Sequence, residues 1–292
     1  MKVKFYKLQI RLLTNMELTK RQKIEQEYYN NIVHKTWDGK DLFVEKETPP
    51  FGKFSGDLFD GAKKYLENIE NKKILEVACG NGELSVWFAK NKAKIYGIDL
   101  SNESIEVCKK RSEFNETQNL TTFSVSPAEK TNFQDKFFDI IYINVSLHHF
   151  EIEKALKEFK RILKSGGTLI AVEPLAFSNV IQKVRESKIF TKFYPIRKET
   201  PTERILLKKD LETVRNIFGN IKYKPYRIIS PFIFKIKPLF NFLSNTIYKK
   251  EKEKNKRQQK FNRSVQKFDE FILKIPLMKT FSRYVIFKTI KK

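Results

Sequence analysis

Lys72–Gly82 reads KKILEVACGNG, and with the residues just after it this stretch spells out a strand, a glycine turn and the start of a helix. Ile74, Leu75 and Val77 form a short apolar, partly β-branched run of the kind found in a buried parallel strand. Glu76 falls where that strand is ending. Gly80 and Gly82 supply backbone freedom for a tight turn and for close approach of a ligand. Leu84, Val86, Trp87, Phe88 and Ala89 then recur at helical spacing. Strand, glycine turn and helix in this order open a doubly wound nucleotide-binding unit. Ala93–Ile98 reads as a second strand ending at Asp99, nineteen positions beyond Gly80, about where a carboxylate must stand to bind a ribose diol.

Glu76-Val77-Ala78-Cys79-Gly80-Asn81-Gly82 resembles motif I of the class I S-adenosylmethionine (SAM) methyltransferases, and Gly97-Ile98-Asp99-Leu100-Ser101 resembles the end of their second strand. The likeness is greatest to the ubiquinone/menaquinone-biosynthesis type and spans residues 55–175. It implies an α/β, Rossmann-like class I fold with a mainly parallel seven-stranded sheet and helices on both faces, to which this chain's own length between the last two strands adds a helical insertion near the C-terminus. It implies SAM as cofactor, with Glu76, Ala78, Gly80, Gly82, Asp99, Leu100, Ala128 and Asn144 as the binding residues. A dinucleotide fingerprint is the rival. It requires a third glycine where Ser85 stands, and Glu83 would repel a pyrophosphate at the helix N-terminus.

Further along, Ser101 reads as an N-cap, Leu120–Val125 as a third strand and Phe137–Val145 as a fourth, with Asp139 at its start as in family motif IV. Ser126-Pro127-Ala128-Glu129 departs from the family's usual Gly-Asp-Ala-Glu: Pro127 offers no side chain to an adenine amino group, so that contact falls to backbone near Ala128 or to Ser126. Glu151–Leu163 reads as a helix closed by a Lys164–Gly167 cap turn, and Thr168–Glu173 as a fifth strand ended by Pro174. Glu203–Phe218 reads as a helix, and Ile221–Ile229 and Phe281–Ile290 as the last two strands, of which the resemblance implies that the final one is antiparallel.

The chain divides into four regions: an N-terminal helical lid or extension (1–54), a SAM-binding core (55–230), a basic, aromatic-rich helical insertion (231–280) and a final core strand (281–292). In the first, residues 17–37 read as a polar helix ending near His34, on which the resemblance implies that Tyr28 and Tyr29 are lid residues, with docking of the helix on the domain as the alternative. Met16 is a candidate start, with Met1–Asn15 upstream of it. Residues 175–204, which hold Tyr194, Arg197 and Pro201, are irregular.

Charge is distributed unevenly. Residues 73–175 hold 14 Lys+Arg and 14 Asp+Glu, whereas residues 176–292 hold 30 and 9. The insertion joins an aromatic stretch beginning Phe232-Ile233-Phe234 to the polybasic Lys249–Lys260, then a second amphipathic stretch with Phe268, Phe271, Ile272, Ile275 and Leu277. It reads as a substrate cap, or as an anchor for an anionic membrane surface, where an apolar face and a basic patch act together. A field of this sign also suits RNA, which ranks below the other partners.

Two cysteines, Cys79 and Cys108, are too few for a disulfide framework and suit a reducing cytoplasm, with peripheral attachment at the inner membrane face if the anchor operates. No stretch has the length of a membrane span, and lysines interrupt the N-terminal apolar residues as a signal peptide would not allow. Three histidines and no ligand-spaced carboxylate cluster argue against a metal. His148 and His149, at the end of the fourth strand, are the candidate catalytic bases; in extended chain only one can face a site. The expected activity is methyl transfer from SAM to a small-molecule or lipid- or glycan-linked acceptor. The alternatives are an RNA methyltransferase and a non-catalytic SAM-binding membrane adaptor. Acceptor atom and oligomeric state stay open.

Overall fold

The computed structural model describes residues 17–47, 56–66, 68–177, 204–227, 264–265 and 267–292, together with 182, 183 and 187. Helix α1 (Lys20–Thr36) is followed by α2 (Gly56–Lys63), β1 (Lys73–Val77), α3 (Glu83–Lys90), β2 (Lys94–Asp99), α4 (Asn102–Phe114), β3 (Thr121–Val125) and β4 (Phe138–Asn144). A 3-10 turn at Leu147–His149 leads into α5 (Ile152–Ile162), β5 (Leu163–Ala176), β6 (Leu206–Leu207), α6 (Lys208–Phe218) and β7 (Lys222–Tyr226). A second 3-10 turn, Pro276–Phe281, precedes β8 (Tyr284–Ile290).

The sheet order is β3-β2-β1-β4-β5-β8-β7, with β6 paired to β5 off this path. The first five strands of that order run parallel, and β8 is antiparallel to both β5 and β7. The seven-strand path agrees with the sequence expectation, and the two-residue β6 is an addition that no periodicity could reveal. Successive residues of β1 serve opposite faces. Leu75 and Val77 pack with Phe159 of α5 and Val214 of α6, while Ile74 packs with Phe59 of α2 and Val86 of α3. Both faces are thus covered, as parallel strands require.

Three local readings are corrected. Lys164–Gly167 is not a cap turn: α5 passes directly into β5 through Leu163, whose backbone is extended (φ −70°, ψ 141°). Gly166 (φ +76°) instead marks an irregularity inside β5, opposite a register shift between Phe138 and Ile140. Pro174 does not end β5, because it sits opposite Tyr284 in the antiparallel pair with β8. The helix expected from Glu203 begins at Lys208, since Leu206 and Leu207 pair with Leu175 and Ala176 as β6. Expectations for Met1–Met16, the loop at Thr48–Gly52, Tyr194, Arg197, Pro201, the aromatic stretch from Phe232 and the run Lys249–Lys260 lie outside the described residues.

Candidate functional site

At the C-terminal edge of β1, β2 and β4 lies a cavity of about 230 Å³. Its lining includes Ala78, Gly80, Asp99, Leu100, Ala128, Asn144 and His149 of the residues expected from sequence. Glu76 and Gly82 are not among the lining residues. Turns after the strands build the floor. After β1, Ala78 (φ +53°), Gly80 (φ +52°) and Gly82 (φ +74°) are left-handed. After β4, Val145 takes φ +54°, a costly conformation for a β-branched residue.

The glycines divide the work of the first turn. A Cβ on Gly80 would meet nothing within 4 Å, so its backbone faces open space. A Cβ on Gly82 would lie 2.8 Å from Cys108 Sγ, so Gly82 lets α3 and α4 approach closely. The turn's carbonyls are satisfied from α4: Cys108 Sγ donates to Gly80 O at 3.0 Å and Arg111 Nε to Asn81 O at 2.8 Å. These supports lie 28 and 30 residues away in the chain, and no motif announces them.

Asp99 stands at the tip of β2, half-buried. It accepts from Gly80 N at 2.9 Å and from Ser101 N at 2.8 Å. Burial raises its pKa, while hydrogen bonds from Ser101, Gly80 and Leu100 oppose the rise. Glu76 is buried behind the turn and accepts from Ser85 Oγ. Burial pushes its pKa up to about 8, with the Asp99 and Glu83 charges adding to the effect. Asp139 lies away from this edge, where it accepts from Lys73 N and Lys164 Nζ and braces the start of β4.

Helix α1 closes the cavity. Thr19 and Gln22 form a reciprocal capping box at its start. Its docking is polar: Gln26 Nε2 donates to Leu100 O at 2.7 Å, Ser101 Oγ donates to Asn30 at 2.7 Å, and Arg21 pairs with Glu129 and donates to His149 O. Arg21, Glu25 and Tyr29 line the cavity. Tyr28 sits edge-on to Tyr29 and is not among the lining residues.

The two histidines part company. Leu147–His149 is a 3-10 turn and not extended chain, yet only one of its two histidines reaches the cavity. His148 Nδ1 lies 2.7 Å from Glu173 Oε2. Glu173 is wholly buried and also accepts from Ser146 N and Leu147 N. His149 lines the cavity, with Tyr29 OH 3.3 Å from Nε2 and Glu25 Oε2 3.3 Å from Nδ1. Ser146 Oγ is buried at the same wall with no protein partner among the described residues. Those residues also hold no cluster of metal-ligating side chains and no helix long and apolar enough to cross a membrane.

Comparison with known proteins agrees with this architecture. A family model described as a methyltransferase domain matches residues 75–171. The chain is 36% identical over 124 residues to a demethylmenaquinone methyltransferase of Chlorobaculum tepidum, covering 42% of this chain and 49% of that one. It is 31% identical over 189 residues to a ubiquinone/menaquinone biosynthesis C-methyltransferase of Rickettsia felis, covering 61% of this chain and 70% of the relative. The chain therefore spans about half the length of the Chlorobaculum relatives and more of the rickettsial one. Among solved structures it resembles the [4+2]-cyclase SpnF (TM-score 0.58, 16% identity, 95% and 97% of the two chains). It also resembles geranyl diphosphate C-methyltransferase of Streptomyces coelicolor, solved with S-adenosyl-L-homocysteine (TM-score 0.55, 13% identity, 95% and 100%). At these identities the structural likeness concerns the fold.

Proposed function

The chain belongs to the class I SAM-dependent methyltransferases, in their ubiquinone/menaquinone-biosynthesis-like group, and we propose that it transfers a methyl group from SAM to a small, ring-bearing hydroxylated acceptor of the lipid-linked quinol class. The observation that carries this reading is the pairing of Gly80 and Asp99 at one cavity wall with His149 at the other.

The site fits the cofactor. Open space over Gly80 leaves room for a ligand chain against bare backbone, and Asp99 is held by two backbone N–H groups with its edge toward the cavity. Asp99 would hold the ribose hydroxyls, Leu100 and Ala128 would flank the adenine, and Ala78, Gly80 and Asn144 would receive the methionine portion. Glu76 and Gly82 act from behind by fixing the turn. SAM supplies a methyl group on a sulfonium, open to in-line displacement. The protein contributes alignment and exclusion of water.

His149 accepts the proton of the acceptor hydroxyl, which raises electron density on the oxygen and on the ring carbons beside it. Tyr29 orients the imidazole from α1. His148, held by Glu173, keeps the turn in shape. The membrane-facing part of the acceptor class rests on the basic, aromatic composition of 231–280.

The test is calorimetry with SAM on the purified protein and on Asp99→Ala, followed by label transfer from methyl-labelled SAM into fractionated cell extract. Saturable heat that Asp99→Ala abolishes, with label in the lipid fraction, is the expected result. Absence of heat with the wild-type protein, or label confined to RNA, overturns the reading.

A further inference from the structure

The sequence presents Phe268, Phe271, Ile272, Ile275 and Leu277 as one apolar stretch, but the fold divides its neighbourhood in two. Residues 264–265 and 267–272 are helical and pack inward through Val265, Asp269 and Leu273, each with 6% or less of its surface exposed. Those three are spaced by four residues and share a face. Phe268, Phe271 and Ile275, spaced three and four apart, form a separate stripe that is 51%, 62% and 50% exposed. Lys267 and Lys274 are exposed and flank that stripe in the chain, as does Glu270, which is also exposed and lies 3.7 Å from Lys224 Nζ.

Two large aromatics and an isoleucine on one exposed stripe are more than scattered surface apolarity. From this geometry we infer that the exposed stripe of Phe268, Phe271 and Ile275, with Lys267 and Lys274 beside it, is an interfacial docking surface for an anionic lipid bilayer, the apolar side chains entering the headgroup boundary and the lysines meeting lipid phosphates. The charge of this part of the chain selects the occupant. The exposed charges of residues 264–265 and 267–281 are Lys267, Lys274 and Lys279 against Glu270, and the sequence from 176 onward holds 30 basic and 9 acidic residues, a balance that opposes a second copy and favours an anionic partner. Lys279, in the 3-10 turn before β8, is also exposed.

The surface also has a position in the fold. Strand β8 begins at Tyr284, which pairs with Pro174 near the end of β5 and with Tyr226 at the end of β7. Asp269 and Leu273 share a small cavity with Gly61 and Tyr226. The segment therefore lies at the same edge of the sheet as the main cavity, three strands from β4, or roughly 15 Å at ordinary strand spacing. A lipid-borne group held at this surface would therefore start from the sheet edge at which the cavity lies. The inference concerns the surface alone and stands whether or not methyl transfer is the reaction.

The experiment is co-sedimentation of the full chain with vesicles of phosphatidylcholine alone and of phosphatidylcholine mixed with phosphatidylglycerol. Three proteins are compared: wild type, Phe268→Ser/Phe271→Ser/Ile275→Ser, and Lys267→Glu/Lys274→Glu. Thermal unfolding and gel filtration accompany each, so that misfolding and self-association are read separately. Binding to the anionic vesicles alone is expected, reduced roughly tenfold or more by either set of substitutions with unfolding midpoints unchanged. A triple-serine variant that sediments like wild type overturns the inference. So does a wild-type protein that ignores both vesicles, or one that is dimeric only while the apolar stripe is intact. If the triple variant unfolds early, Phe268→Ser alone, at an exposed position, replaces it and is held to the same criterion.

Discussion

Replacing Gly82 and Gly80 separately by alanine distinguishes a glycine that packs from a glycine that faces a ligand. At Gly82 the new Cβ would stand 2.8 Å from Cys108 Sγ, 3.1 Å from its Cβ and 3.2 Å from its Cα, in a backbone with φ +74°. Holding alanine in the left-handed region costs about 1–2 kcal/mol. Forcing a methyl group against the backbone of a packed helix adds about 1–3 kcal/mol. The sum, roughly 2–5 kcal/mol, corresponds to a fall in unfolding midpoint of about 4–10 °C or more for a chain of this size. At Gly80, with φ +52° and nothing within 4 Å, only the first cost applies, so the midpoint should fall by about 2–4 °C. SAM affinity should show the reverse order, with Gly80→Ala the more damaging. A double-mutant cycle with Cys108→Ala gives the sharpest reading. Removing the sulfur relieves the shortest contact, so Gly82→Ala and Cys108→Ala should couple by about 1 kcal/mol or more, whereas Gly80→Ala should not gain steric relief. Equal midpoints for the two glycine variants, or a strictly additive cycle at Gly82, would refute this division of roles.

Glu76 supplies a pH signature. Its pKa in the folded protein is raised to about 8 by burial, so the folded state holds a proton that the unfolded state has released, and stability should fall as pH rises from about 5 to 8. Glu76→Gln should flatten that slope, by up to about 1.4 kcal/mol per pH unit in urea unfolding; parallel curves would contradict it. Val145→Asn should raise stability by about 1 kcal/mol, because asparagine tolerates φ +54° better than a β-branched residue and Val145 is 37% exposed; a loss would show that the valine contributes more than its strain costs. His149→Ala should cut turnover about a hundredfold with SAM affinity kept. His148→Ala should instead lower stability by about 1–3 kcal/mol, because Glu173 loses a buried partner; a reversed pattern would exchange the two roles.

How far the sequence discloses the fold depends on the range of the forces involved. The β1–turn–α3 unit and the carboxylate at the end of β2 are legible because each depends on residues adjacent in the chain: apolar runs, glycines where φ must be positive, a strand end where ligands collect. The cap turn expected at Lys164–Gly167 fails for a related reason. Two glycines after a helix ordinarily end it, but here α5 has already ended at Ile162, and Gly166 relaxes the register of β5 against β4. That the N-terminal helix closes over the cavity with Tyr29 is an expectation of the sequence, but its contacts are illegible because they are long-range and polar: Gln26 on Leu100, Arg21 on Glu129 and Tyr29 on His149 join positions 74, 108 and 120 residues apart. Helix α1 buries Gln22, Glu25 and Val33, so it carries no apolar stripe that a periodicity search could find. A helix docked mainly through hydrogen bonds, each of small net worth in water, is held less firmly than the core helices. The wall that carries the proposed base is therefore completed by a helix docked through polar contacts. Glu25 and Tyr29 reach His149 only while α1 is in place, so undocking α1 would at once open the cavity and remove two partners of the proposed base.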